Sequence, residues 1–308
     1  MNKLVRWLIA TVILIAVIVW IEKDIGWMSV FNAWKNVSPT LLIGLTLLTF
    51  ISYLLRSYRV YYYFGREHNH PFLSYVRINF LHNALNNFLP MRLGEASFPL
   101  FMKQTFNYPI FKSSTGLFLI RLMDLHWLLL LLSVMASFEF GQLYLLISGA
   151  ILISPFVLLW LSNHFAKIIP QKIKNKLEPL KQYTPNSLRF CLSVYAMTAL
   201  IWSIKLIALT LIMLAFIDIP GMQGLFAVIS ADLSSVLPIH GLAGSGTFEA
   251  AIMAALIPLG VEKDSILLAA VNLHIYVLVV TLLSVPIALI LPKAQYKNEK
   301  RNNTEIIT

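Results

Sequence analysis

Hydrophobic runs long enough to cross a bilayer dominate the chain. They cover residues 4–21, 40–63, 113–137, 142–162, 188–217 and 265–291, and about 20 apolar residues in helical form span the hydrocarbon core. Two further apolar stretches, 74–104 and 222–258, are interrupted. The first contains Asn86-Asn87-Phe88-Leu89-Pro90-Met91-Arg92-Leu93-Gly94-Glu95; the second contains Leu237-Pro238-Ile239-His240-Gly241 and then Gly244, Gly246 and Glu249. Proline removes a backbone donor and clashes with the preceding turn, so each stretch is cut into two pieces of roughly half-bilayer length. Irregular backbone survives at membrane depth only where it is buried in protein or lines a wet cavity. The pattern predicts an all-α polytopic membrane protein with about six full transmembrane helices plus two re-entrant helical hairpins.

The basic residues orient this layout. With the N-terminus in the cytoplasm, Lys3, Arg6, Arg66, Arg77, Lys103, Lys112, Arg189, the lysines from Lys167 to Lys181 and those of the tail all fall inside, whereas Lys23, Lys35 and Lys263 fall outside. That asymmetry satisfies the positive-inside rule with both termini cytoplasmic. Hairpin 74–104 then opens to the cytoplasm and hairpin 222–258 to the outside. Units of about 40–137 and 188–291 would form an inverted repeat, an arrangement that places transporter substrates at the repeat interface near the midplane. Residues 1–292 read as one integral membrane domain. Residues 163–187 read as a basic cytoplasmic loop, either an amphipathic helix on the anionic leaflet or an ordinary positive-inside loop, and 293–308 as a disordered tail. Met1 to Trp20 is basic and then apolar, but Trp20-Ile21-Glu22 offers no small-residue cleavage site, so it reads as a retained span.

Composition narrows the function classes. Of 308 residues 58% are hydrophobic and 12% charged, about half the charge of a soluble domain. The net charge of +10 lies mainly in the loops and tail, with no basic-aromatic run for nucleic acid. One cysteine, Cys191, excludes an internal disulfide and a cysteine-based metal site. No HExxH, GxSxG or Walker motif is present; no catalytic residue, metal or cofactor is expected. The small residues from Gly141 to Ala150 permit a homodimer.

Charges inside apolar segments are the candidate site, because each is costly there unless paired. A helix restarting after Pro90 would point its N-terminal amides into the membrane, and Arg92 adds a planar fork that suits phosphate or carboxylate. Arg92 and Glu95 could instead pair as a structural pin. Asn87, Pro90 and Gly94 shape that turn. Arg121 and Asp124 share a helical face at i and i+3. Lys205 needs a carboxylate, with Asp124, Asp232 and Glu249 as candidates. Gly244 and Gly246 free the second break, where Glu249 either caps the following helix or binds a proton or cation. His240 either titrates or is simply hydrogen-bonded. Arg56 and Arg59 lie near a span end and are expected to snorkel.

Asn87-Phe88-Leu89-Pro90-Met91-Arg92-Leu93-Gly94-Glu95, Arg121-Leu122-Met123-Asp124, and Leu237-Pro238 through Gly244, Gly246 and Glu249 resemble the transmembrane-region family of the lysylphosphatidylglycerol synthases. The resemblance covers most of the chain in the expected order; Ile239-His240 departs from the small or polar residues expected there. It implies the lipid-translocating half of such proteins, with aminoacyl transfer belonging to a separate cytosolic domain. The expectation is a bacterial inner-membrane lipid flippase or lipid-linked-substrate transporter that binds an anionic headgroup between the hairpins. The alternative is a non-catalytic membrane subunit assisting a glycosyltransferase or lipid-modifying enzyme, favoured if the charges pair completely and leave no cavity.

Overall fold

A computed structural model describes residues 3–65, 70–165, 187–234 and 242–292. Most of loop 163–187, the tail from 293, Pro238 and His240 therefore lie outside the described residues, as do the side chains of Pro90 and Arg92.

The described chain is helical. Helix α1 runs Lys3–Asp24, α2 Trp27–Ala33, α3 Pro39–Phe64, α4 Phe72–Phe88, α5 Ser97–Phe106, α6 Ile110–Phe140, α7 Leu143–Phe165, α8 Leu188–Leu214, α9 Gly221–Ser234, α10 Thr247–Leu256 and α11 Lys263–Ile290. Local sequence sets the boundaries. Pro39 occupies the first turn of α3, where its missing N–H costs nothing, and Asn107 ends α5 in the left-handed conformation. Four of the described helices, α3, α6, α8 and α11, are long and apolar enough to cross a membrane. The protein is an all-α polytopic membrane protein.

The first interrupted stretch is broken where Pro90 and Gly94 fall, and in the second Gly246 caps the start of α10. In the first, the α-helix does not restart directly after Pro90. A 3-10 segment, Pro90–Ala96, intervenes, and α5 begins only at Ser97. Gly94 explains the tight course: a Cβ there would sit 2.4 Å from both Cα and N of Asn86, so the segment lies directly on the backbone of α4. Gly94→Ala must therefore displace the segment, at a cost of about 1–3 kcal/mol. The expected result is a lowered thermal midpoint in detergent, and a wild-type melting curve would contradict that packing.

The helices pack in a pattern that repeats. Helix α3 packs on α8; α4 packs on α3 and α11, as α9 packs on α8 and α6; α5 packs on α6 as α10 packs on α11. Exchanging α3–α6 for α8–α11 thus returns the same neighbours. The main core joins both sets, Tyr53, Phe80 and Leu128 of the first with Leu209, Ile229 and Leu273 of the second. Arg77 on α4 ties them further, donating from Nη1 to the carbonyls of Ala288, Leu289 and Leu291 at 2.8, 2.9 and 2.8 Å. A cation there satisfies acceptors that the end of α11 leaves open.

Candidate functional site

Between the two sets lies a cavity of about 740 Å³, within the roughly 300–1,000 Å³ of small-molecule sites. Asn83, Asn86 and Asn87 from α4 line one side, and Ala243, Gly244 and Thr247 from the second break line another. Arg56, Arg121, Asp124, Lys205, Asp232 and His274 bring charge or titratable groups to its wall. Leu100 on α5 and Ile110, Phe118 and Leu122 on α6 line the cavity too, yet are exposed on the outer surface, Phe118 by 64%. The cavity thus has an accessible apolar side formed by α5 and α6.

Most charges on this wall are matched. Arg59, 1% exposed, donates to both oxygens of Asp124 at 2.6 and 3.2 Å and to Thr198 at 2.5 Å. Trp202 donates to the same carboxylate at 2.8 Å. Arg121 lies 3.3 Å from Glu95 and 3.6 Å from Asp124, and Asn86 donates to Glu95 at 3.1 Å. Lys205 meets Asp232 at 2.7 Å. In the second break, Glu249 accepts from Gly246 N at 2.8 Å and faces His274 Nδ1 at 2.6 Å.

Arg56 is the exception. Among the described residues no carboxylate lies within 4.0 Å of it. Its contacts are a long bond to Asn83 Oδ1 at 3.4 Å and the ring of Trp202, 5.6 Å away. Its Nε and Asn83 Nδ2 are buried without a protein partner. With Arg56, Arg59, Arg121 and Lys205 facing Glu95, Asp124 and Asp232, the described network holds one cation in excess.

The repeated packing explains how that excess arises. Arg56 and Lys205 occupy the same position counted from the starts of α3 and α8, and Asn83 and Asp232 the same position in α4 and α9. The contacting pairs Arg56–Asn83 and Lys205–Asp232 are each 27 residues apart. One set thus has an aspartate under its cation, and the other has an asparagine. Arg121 and His274 likewise fall at matching positions of α6 and α11. Each faces the glutamate of the break before it, Glu95 or Glu249.

The structure brings Glu95, Asn87, Gly94, Arg121, Asp124, Asp232, Gly244, Gly246 and Glu249 to the cavity wall or the breaks that frame it. Asn87 joins the two sets by donating to Thr281 at 2.8 Å. Glu249 does cap α10 through Gly246, and its second oxygen goes to His274. The partner of Lys205, open among three carboxylates, is Asp232. Arg56 and Arg59 correct the snorkelling expectation. They share the face of α3 that carries Tyr53, Ser52 and Ser57, and α8 covers that face, so both point into the bundle rather than along it to an interface. Sequence reading missed His274 and Asn83 altogether. The 27-residue spacing of Asn83 from Arg56 and the matching position of His274 to Arg121 were available, but neither residue carries a permanent charge, so neither draws notice in an apolar run.

Comparison with known families settles the ancestry. The model of the lysylphosphatidylglycerol synthase transmembrane region matches residues 7–284. The chain belongs to that family. No curated protein matches it. Within the lysylphosphatidylglycerol synthase family the matched part is the membrane region, so the chain is a multi-pass membrane protein of a family tied to membrane lipid.

Proposed function

We propose that the protein moves an anionic lipid across the bacterial inner membrane, as a flippase or lipid-linked-substrate transporter, with both termini cytoplasmic. The observation that supports this most is Arg56, a buried cation on the cavity wall without a carboxylate. The guanidinium is always charged and presents donors in a fork that fits phosphate. Such a group in a low-dielectric site calls for an anion, and a headgroup phosphate or carboxylate provides one. Asn83, with a free amide donor, would share it. Acyl chains would lie along the apolar side formed by α5 and α6 and remain in lipid. The Arg121–Glu95, Arg59–Asp124 and Lys205–Asp232 pairs would position the wall and exchange partners as the headgroup passes. Arg92, one turn from Glu95, and His240 in the second break stay candidates for headgroup contact.

The two breaks would be re-entrant hairpins of opposite sense, since the charge asymmetry of the loops inverts the second set against the first. The reading as a non-catalytic subunit of a lipid-modifying enzyme needs a filled, neutral interior, and a cavity of this size with an excess cation weighs against it.

The test is a dithionite-quench assay on liposomes carrying a fluorescent phosphatidylglycerol. Wild-type protein should expose inner-leaflet fluorophore to the quencher, and Arg56→Gln should do so at least tenfold more slowly while eluting as a folded species. Equal rates for the two proteins would remove Arg56 as the headgroup site. Absence of translocation by wild type, with and without an imposed proton gradient, would overturn the transporter reading.

A further inference from the structure

The second break is held by an arrangement the anion site does not use. His274 Nε2 lies 2.8 Å from the carbonyl oxygen of Ala243, which can only accept, so Nε2 carries a hydrogen. Nδ1 lies 2.6 Å from Glu249 Oε1, and two lone pairs cannot face each other at that separation. A second proton must sit between them. Glu249 Oε2 meanwhile accepts from Gly246 N, and the imidazole is stacked on Phe248 with ring centres 4.5 Å apart. The ring therefore pins the loop at Ala243, and the carboxylate pins it at Gly246. Ala243 needs the pin: its φ of 57° is left-handed, which is disfavoured for a residue with a Cβ.

We infer that Glu249 and His274 form a proton-binding site whose single shared proton decides whether the loop from Ala243 to Gly246 is closed onto the cavity wall. When that proton leaves, the bond joining it to the pair breaks and it passes to water. Carboxylate and imidazole are left with one ring hydrogen between two acceptors. If the hydrogen stays on Nε2, the Nδ1 lone pair opposes the carboxylate. If it moves to Nδ1, the Nε2 lone pair opposes Ala243 oxygen. The charged acceptor holds the hydrogen more strongly, so the carbonyl is released and the strained loop opens.

The surrounding charges leave this site to itself. On the elements packed against α11, Arg77 caps the helix end, His82 bonds Gly94 and approaches Arg121, and Arg56 bonds Asn83. Arg59 pairs with Asp124, and Lys205 with Asp232 on α9, which packs on α10. On α11 itself Lys263 pairs with Asp24, and Tyr276 bonds Thr49. Among the described residues none of these forms an ion pair with Glu249 or His274. The repeat sharpens the contrast: the matching glutamate, Glu95, faces Arg121, whose charge is permanent, whereas Glu249 faces a base that titrates. One set thus holds the anion site and the other a proton site on the same cavity. Coupling of lipid movement to a proton gradient follows from this, and that step rests on the transporter reading.

The opening of the loop can be measured without any transport. Ser245, buried between the two pins, is replaced by cysteine in a Cys191→Ser background. Its maleimide labelling rate is followed from about pH 5 to about pH 9, the range around a histidine's titration, and normalised to a free peptide thiol. The parent should label on the order of tenfold faster at the alkaline end. Glu249→Gln should stay slow throughout, because its amide donates to Nδ1 at every pH and leaves Nε2–H on Ala243. His274→Ala should be fast throughout. A flat profile in the parent, or a Glu249→Gln profile that tracks the parent's, would overturn the proton site. If His274→Ala does not elute as a folded species, the parent and Glu249→Gln profiles decide alone. A proton site found here with no gradient effect on fluorescent phosphatidylglycerol movement would remove the coupling and leave the pin.

Discussion

Asn83→Asp is expected to stop translocation of an anionic phospholipid while leaving the protein folded. The change keeps the shape of the side chain and places a carboxylate where Oδ1 now lies, 3.4 Å from Arg56 Nη1. The result reproduces in α3 and α4 the Lys205–Asp232 pair of α8 and α9, which this fold already accommodates at 2.7 Å. At an effective dielectric constant of about 20, opposite charges about 4 Å apart attract by about 4 kcal/mol. A headgroup must overcome that attraction to reach the arginine, so translocation in the dithionite assay should slow at least about 100-fold, each tenfold costing about 1.4 kcal/mol. Wild-type rates with a wild-type melting curve would mean that the asparagine is incidental.

Asp124→Ala is expected to do the opposite kind of damage, to the fold itself. Its carboxylate answers Arg59, Trp202 and Arg121 at 2.6, 2.8 and 3.6 Å. Removing it leaves a guanidinium that is 1% exposed without its counter-charge, and breaking a buried pair from one side costs about 3–5 kcal/mol. Against a total stability of about 5–15 kcal/mol, little folded protein should remain by size-exclusion in detergent. Arg59→Met together with Asp124→Leu should recover most of it, because removing both charges lifts the desolvation penalty along with the attraction. A single Asp124→Ala variant that melts with the wild type would contradict this.

The hydrophobic pattern carried most of the fold. Runs of apolar residues placed α3, α6, α8 and α11 within a few residues of their observed ends, and the first proline-glycine break fell where α4 and α5 part. The site was half legible. Charges in apolar segments pointed to Arg121, Asp124, Lys205, Asp232 and Glu249, since nothing but a protein interior makes them tolerable. What one chain's pattern cannot give is which way a helix face turns. Arg56 and Arg59 sit within the last two to three turns of α3, a position equally consistent with snorkelling along lipid and with pointing inward. Only the packing of α8 over that face distinguishes the two. Asn83 and His274 stayed hidden because their meaning is relational: an asparagine matters here for standing where its counterpart is an aspartate, and a histidine for standing where its counterpart is an arginine.

The central claim is that an anionic headgroup occupies the cavity at Arg56. Electron cryomicroscopy of the full chain in phosphatidylglycerol nanodiscs, with a bound antibody fragment as fiducial, tests it most directly. The account predicts headgroup density within hydrogen-bonding distance of Arg56 and Asn83, with acyl chains along the apolar side formed by α5 and α6. Lipid density confined to the outer surface, with an Arg56 side chain swung onto a protein carboxylate, would contradict it.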